Sequence, residues 1–142
     1  KKSVSVVHCP RSHDFFSHHA FPFDELTEAG VNVCLGTDSL ATVHKTRNQP
    51  FQLNLFEEMR ALVDGDPALS PKTILEMATI NGARALGMAG QIGELSANGF
   101  ADLLAIPSNG KIANIYDCVL HHAGPVTGSM IDGQWAVKPP LA

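Results

Sequence analysis

The chain is short of most features that mark a specialised role. Basic residues are few and scattered: ten Lys and Arg stand against fourteen Asp and Glu, a formal net charge of −4. That leaves no electrostatic footprint for nucleic acid. No apolar run approaches the ~18 residues of a membrane-spanning helix, and no signal peptide is visible. Cysteine is limited to Cys9, Cys34 and Cys118, an odd number without a CxxC pair. This argues against a disulfide framework or a cysteine-based metal cluster and for reduced thiols in a cytoplasmic protein. Internal repeats and low-complexity tracts are also missing. What is present is 142 residues, 44% hydrophobic and 17% charged, a globular composition long enough for a real core.

One more absence concerns neighbours. The opening "KKSVSVVHCP" enters a Val-rich strand at once, and such a strand wants partners on both edges and both faces. Nothing before it in this sequence supplies them, so the chain is expected to be the C-terminal piece of something longer.

The pattern along the chain is strand, loop, helix, strand. Ser3 to Cys9 reads as a strand ended by Pro10, and Arg11 to Phe21 as a loop dense in histidine and phenylalanine. "PFDELTEAG" reads as a helix with Pro22 in its first turn, Phe23, Leu26 and Ala29 on one face, and Gly30 as its C-cap. Val31 to Gly36 is the second strand. Such a βαβ unit makes its strands parallel, with the helix crossing between them. A polar loop from Ser39 to Asn48 follows. A helix over Pro50 to Val63 is then predicted from the stripe Phe51, Leu55, Met59 and Leu62. Ser70 caps a further helix with Pro71 at its first position, Asn81-Gly82 is expected to interrupt it, and "ARALG" ends on Gly87. Beyond a boundary placed near Met88 to Gly93 the chain turns to β: a strand over Ala101 to Ile106, a short helix in "IANIYDCVLHH", and a hairpin turning at Asp132-Gly133 with Trp135 on its buried face.

Ligands of α/β sheets gather at the carboxyl ends of parallel strands. His8 ends the first strand and Asp38, in "VCLGTDS", ends the second, so both belong on one rim. A carboxylate there is costly unless something cationic or hydrogen-bonding receives it. His and Asp together suit a divalent metal or proton transfer; equally, Asp38 caps a loop and His8 is a hydrogen-bonded rim residue. His13 lies in the same rim loop within reach of a substrate. The pair His18-His19 and the isolated His44 read as solvated loop residues, and His121-His122 lies in the tail, away from the rim.

The motifs "VVHCPRSH", "AGVNVCLGTDS", "LFEEMR", "ILEMATINGARALG" and "IGELSANGFADLLAI", in this order, resemble the C-terminal part of the metal-dependent amidohydrolase superfamily. The resemblance is nearest to its chlorohydrolase and aminohydrolase branch, which includes guanine deaminase, S-adenosylhomocysteine deaminase and triazine hydrolases. It implies an α/β fold. Residues 1–90 would be the last two strands, seven and eight, of a (β/α)8 TIM-type barrel with their helices, and residues 91–142 part of a small C-terminal β-sandwich. It also implies that Asp38 is a metal ligand, to Zn²⁺ or Fe²⁺, and the group that takes a proton from the attacking water. His8, Ser12, His13 and Ser39 would face the substrate; His13 stands where the family more often has Asn. Asn81, Gly82, Gly99, Ala101 and Asp102 would be structural. The implied activity is deamination of an amino-substituted heterocycle, purine or triazine-like, by a metal-bound hydroxide, in a cytoplasmic homo-oligomer without nucleic-acid or membrane partners. Dechlorination and cyclic-amide hydrolysis are the family alternatives. The family's other ligands lie before residue 1, so the chain alone is expected to be inactive and to bind metal weakly at most. A non-catalytic docking module, or a barrel completed by a second polypeptide, are the competing readings.

Overall fold

Two short parallel strands form the seam of the first half, in a computed structural model that describes residues 4–45, 51–108 and 114–140. Strand β1 (Ser5–His8) pairs with β2 (Asn32–Leu35) in parallel, His8 opposite Leu35. His8 and the loop carrying Asp38 therefore leave the sheet at the same end, as the βαβ pattern requires. The strands are unequal. Val33, Cys34 and Leu35 of β2 are all buried, whereas Val7 of β1 is 58% exposed.

Two helices fill the crossover. Helix α1 (Pro10–Phe15) occupies part of the stretch expected to be loop. Pro10 pre-sets the first helical φ, the His13 N–H closes onto the Cys9 carbonyl at 2.8 Å, and Ser17 at φ 51° ends the run. Helix α2 (Phe23–Glu28) forms where expected, but Pro22 is its non-helical N-cap (φ −80°, ψ 63°) rather than part of its first turn. It stops at Gly30, whose φ of 76° suits glycine.

Helix α3 (Leu55–Gly65) starts later than its apolar stripe suggested, because Asn54 caps it by accepting the Phe56 N–H at 2.9 Å. Phe51 consequently lies before the helix and is exposed, and Pro50 falls outside the described residues. Ser70 caps α4 (Pro71–Ala78) through the Thr73 N–H at 3.1 Å. The interruption expected at Asn81-Gly82 falls instead at Thr79 (φ −126°, ψ −93°), and both residues lie inside α5 (Ile80–Ala85). Gly93 explains the displacement. A Cβ there would lie 2.8 Å from the Thr79 carbonyl oxygen, so the returning chain packs directly on the break. Asn81 is structural: its Nδ2 donates to the Val33 carbonyl at 2.9 Å, while Asn32 Nδ2 donates to the Asn81 carbonyl at 2.9 Å. These bonds tie α5 to β2.

The core is Val33, Leu35, Met59, Leu62, Ile74, Met77 and Leu120. Leu120 comes from α6 (Ile115–Leu120), which lies in the 91–142 segment yet packs on α3 and α4. The remaining strands, β3 (Leu103–Ala105), β4 (Gly128–Ile131) and β5 (Gln134–Val137), form an antiparallel meander. Its hairpin turns at Asp132 (φ 46°) and Gly133 (φ 75°), the positive-φ pair of a type I′ turn. Asp102 Oδ1 accepts the Asp132 N–H at 2.7 Å and the Ala101 carbonyl accepts the Gly133 N–H at 3.1 Å. Trp135 departs from expectation. It is 40% exposed, along with the rest of β5, and its ring edge rests over Gly128 rather than in a core.

Candidate active site

The acid at the end of β2 is held by two hydroxyls. Gly36 leaves the strand where β1 comes close: a Cβ there would sit 2.6 Å from Val7 Cγ1 and 3.2 Å from Cys9 Sγ. Asp38 then adopts φ 50°, a left-handed conformation that costs an L-residue about 1–2 kcal/mol and that Asp tolerates better than most. Its carboxylate accepts from Ser12 Oγ at 2.8 Å and from Thr42 Oγ1 at 3.0 Å, and both bonds land on Oδ2. Ser12 and Thr42 are buried while Asp38 is exposed. The donors are thus fixed from below and the acid faces outward.

Ser12 is itself anchored. Its neighbour Arg11 donates its backbone N–H to Glu58 Oε2 at 3.0 Å and its Nε–H to Oε1 at 2.7 Å. Glu58 is fully buried on α3, so this charge-assisted pair pins α1 against α3. The Cys9 thiol is pushed up, chiefly by burial, with the Asp38 N–H opposing and the charges of Glu58 and Asp38 reinforcing the rise. Burial also pushes the Cys34 thiol up. All three cysteines are free.

His8 ends β1 buried, its ring stacked on Phe21 with centroids 3.9 Å apart and planes at 14°. Burial first, and the neighbouring His13 second, lower its pKa to about 4, so the ring is neutral at pH 7. His13 sits edge-on to it at 5.2 Å. A carbonyl only accepts, so His13 Nε2, 2.6 Å from the His19 oxygen, carries its proton there. His8 and His13 line an open cavity of about 920 Å³ together with Phe21, Phe23 and Arg60. Asp38 is not part of that lining; Val43 and His44, just past its loop, are.

The five expected site residues thus divide. Asp38 and Ser12 are joined by a hydrogen bond, His8 and His13 are joined by ring contact, and Ser39 is exposed, its carbonyl accepting the Thr42 N–H at 3.1 Å. His18 and His19 are exposed, and exposed His44 lies 3.6 Å from Asp14. Buried His122 packs its ring on Phe56 while its carbonyl accepts from Arg60. Sequence reasoning missed Thr42, Arg11 and Glu58. A signal existed for Glu58: it adjoins Met59 on the apolar face of α3, where a charge needs a partner.

Among the described residues no three His, Cys, Asp or Glu side chains converge on a point that could hold a metal. Asp38 fits as one ligand of such a site, since the bonds to Oδ2 leave Oδ1 without a donor among those residues. The remaining ligands of a three-ligand site are not supplied by the described residues. No described helix is long and apolar enough to cross a membrane.

Comparison with known proteins bears on this rim. The model of the amidohydrolase family matches residues 1–136. A 5-methylthioadenosine/S-adenosylhomocysteine deaminase of Syntrophobacter fumaroxidans is 41% identical over 113 residues, covering 75% of this chain and 24% of that protein. A 5'-deoxyadenosine deaminase of Methanoregula boonei is 40% identical over 135 residues, covering 83% and 28%. Among solved structures, an adenosine deaminase from Xanthomonas campestris with bound zinc superposes with a TM-score of 0.79 at 30% identity, covering 95% of this chain and 32% of that one. The chain spans about a quarter of the length of the curated relatives it matches.

Proposed function

The chain belongs to the amidohydrolase family, and from that premise we propose that it contributes the acid–base rim of a hydrolytic deaminase. In this reading β1 and β2 are the last two strands of a (β/α)8 barrel. Residues 91–142 lead into a β-sandwich, with α6 docked back onto the barrel helices. The observation that carries it is the placement of Asp38: an exposed residue at the carboxyl end of a parallel strand whose carboxylate is fixed through one oxygen. The substrate is an aminopurine nucleoside, supported by the deaminases to which the chain is similar.

Hydrolytic deamination joins a water oxygen to the ring carbon bearing the amino group, and that carbon's C–N bond breaks. Asp38 accepts a proton from the water and returns it to the departing nitrogen, which leaves as ammonia. A divalent ion held in part by Asp38, when bound, would supply Lewis acidity that lowers the pKa of water. Neutral His8, stacked on Phe21, and His13 edge-on to it present an aromatic wall suited to a purine, with Ser39 at the rim. The setting is the cytoplasm, with a homo-oligomer as the assembly.

The test is deamination by the full-length protein, loaded with zinc, of 5'-methylthioadenosine, S-adenosylhomocysteine, 5'-deoxyadenosine and adenosine. Ammonia release and the ultraviolet change from aminopurine to oxopurine are followed together. Turnover of at least one is expected. No release from any of them by zinc-loaded protein would overturn the substrate class.

A further inference from the structure

Resting on that reading, we infer that Ser12 and Thr42 are paired positioning residues for Asp38, which hold its Oδ2 so that Oδ1 is the oxygen offered to the metal and the reacting water. Three features carry this. Both hydroxyls reach the same oxygen, at 2.8 and 3.0 Å, from opposite elements: Ser12 from α1 and Thr42 from the single 3₁₀ turn Leu40–Thr42. Both are buried beneath an exposed acid, so neither is a solvent-facing loop bond. And Asp38 is held at φ 50°, a conformation that persists where the surroundings over-determine it.

Thr42 has one hydroxyl proton and two acceptors in reach, Asp38 Oδ2 and the Ser39 carbonyl, each at 3.0 Å. The Ser39 carbonyl already receives the Thr42 N–H at 3.1 Å. The carboxylate is the stronger acceptor, so the proton goes there. Arg11 and Glu58 extend the arrangement by fixing α1, and with it Ser12, against a fully buried partner.

The experiment compares Ser12→Ala, Ser12→Thr, Thr42→Val, Thr42→Ser and Asp38→Asn in the full-length protein. Zinc retained after dialysis against a chelator and kcat and KM on the best of the four nucleosides are measured, with a thermal melt to show that each variant folds. Thr42→Val and Ser12→Ala should each lose about 10–100-fold in zinc affinity and kcat, the usual effect of removing a group that orients a ligand, with KM little changed. Thr42→Ser, which keeps the hydroxyl, should recover most of both. Wild-type zinc affinity and kcat in Thr42→Val and Ser12→Ala, with Asp38→Asn inactive and zinc-poor, would overturn the positioning role while leaving the reading of Asp38 intact. Wild-type behaviour in Asp38→Asn would overturn both. Were Ser12→Ala not to fold, the Thr42→Val and Thr42→Ser contrast decides alone: failure of the serine to restore zinc binding would refute the inference.

Discussion

The two sheets of this chain are built on opposite plans. The parallel pair β1–β2 is two strands wide, yet it and the elements around it are tied by side-chain bonds over long sequence distances: Asn81 to Val33, Asn32 to Asn81, Ser12 to Asp38 and Arg11 to Glu58. The antiparallel meander β3–β4–β5 is three strands wide, and all of β5 is exposed. Its shape comes from a turn dipeptide and backbone pairing, helped by the bonds from the Asp132 N–H to Asp102 Oδ1 and from Thr127 Oγ1 to the Ala105 carbonyl. The contrast places precision where chemistry is proposed: a rim acid needs its oxygen fixed, whereas a hairpin needs only a register.

If that contrast is right, substitutions in the first sheet should disturb stability and site together, and those in the second should disturb stability slightly. The largest effect is expected from Arg11→Ala, which leaves the Glu58 carboxylate buried with only a backbone N–H. A loss of about 3 kcal/mol in urea unfolding is expected, the scale for removing one member of a buried pair. It should bring a fall in zinc affinity, because Ser12 loses its anchor. Loss of stability without change at the site would separate the clamp from the acid.

The next effect is one of pH. His8 titrates near 4 when folded against an ordinary 6.5, so between those values the unfolded chain binds more protons. Stability is therefore full above about pH 6.5 and declines as pH falls toward 4, by at most about 1.4 kcal/mol per pH unit from this group. His8→Phe keeps a ring against Phe21 and should flatten that part of the profile in unfolding curves taken at pH 7, 6 and 5. An unchanged slope would mean that His8 carries no such burden.

Gly36→Ala should cost about 1–2 kcal/mol, because its Cβ would press on Val7 Cγ1, a crowding of the kind that overpacking brings. The double variant with Val7→Ala should recover part of the loss in a thermal melt. The smallest effect belongs to the tail. Gly133→Ala meets only Ala101 Cβ, at an ordinary contact distance of 3.9 Å, and so incurs only the left-handed backbone penalty of about 1 kcal/mol. Zinc affinity and turnover should be unaffected; a parallel drop in turnover would show that the two sheets are not independent in the way proposed.

Local rules made much of this legible. Gly30, Ser70 and the Asp132-Gly133 turn act through their own backbone chemistry, and each lies where the pattern placed it. The parallel pairing of β1 and β2 followed from the βαβ connection. What was not legible depends on partners distant in sequence. The Thr79 break lies against Gly93, the start of α1 is supported by Glu58, and the Trp135 ring rests against distant Gly128 rather than in a core. At the site, Asp38 stood out as an acid ending an apolar strand, but Thr42 did not, since a threonine in a polar loop carries no pattern until the loop has folded.

The most direct test is the anomalous scattering of zinc in crystals of the full-length protein. The account predicts a zinc peak at about 2.0–2.2 Å from Asp38 Oδ1, the ordinary carboxylate–zinc distance, with Ser12 and Thr42 still bonded to Oδ2. A zinc peak that leaves Asp38 bonded to Ser12 and Thr42 alone, or one bound through Oδ2 with those bonds broken, would contradict it.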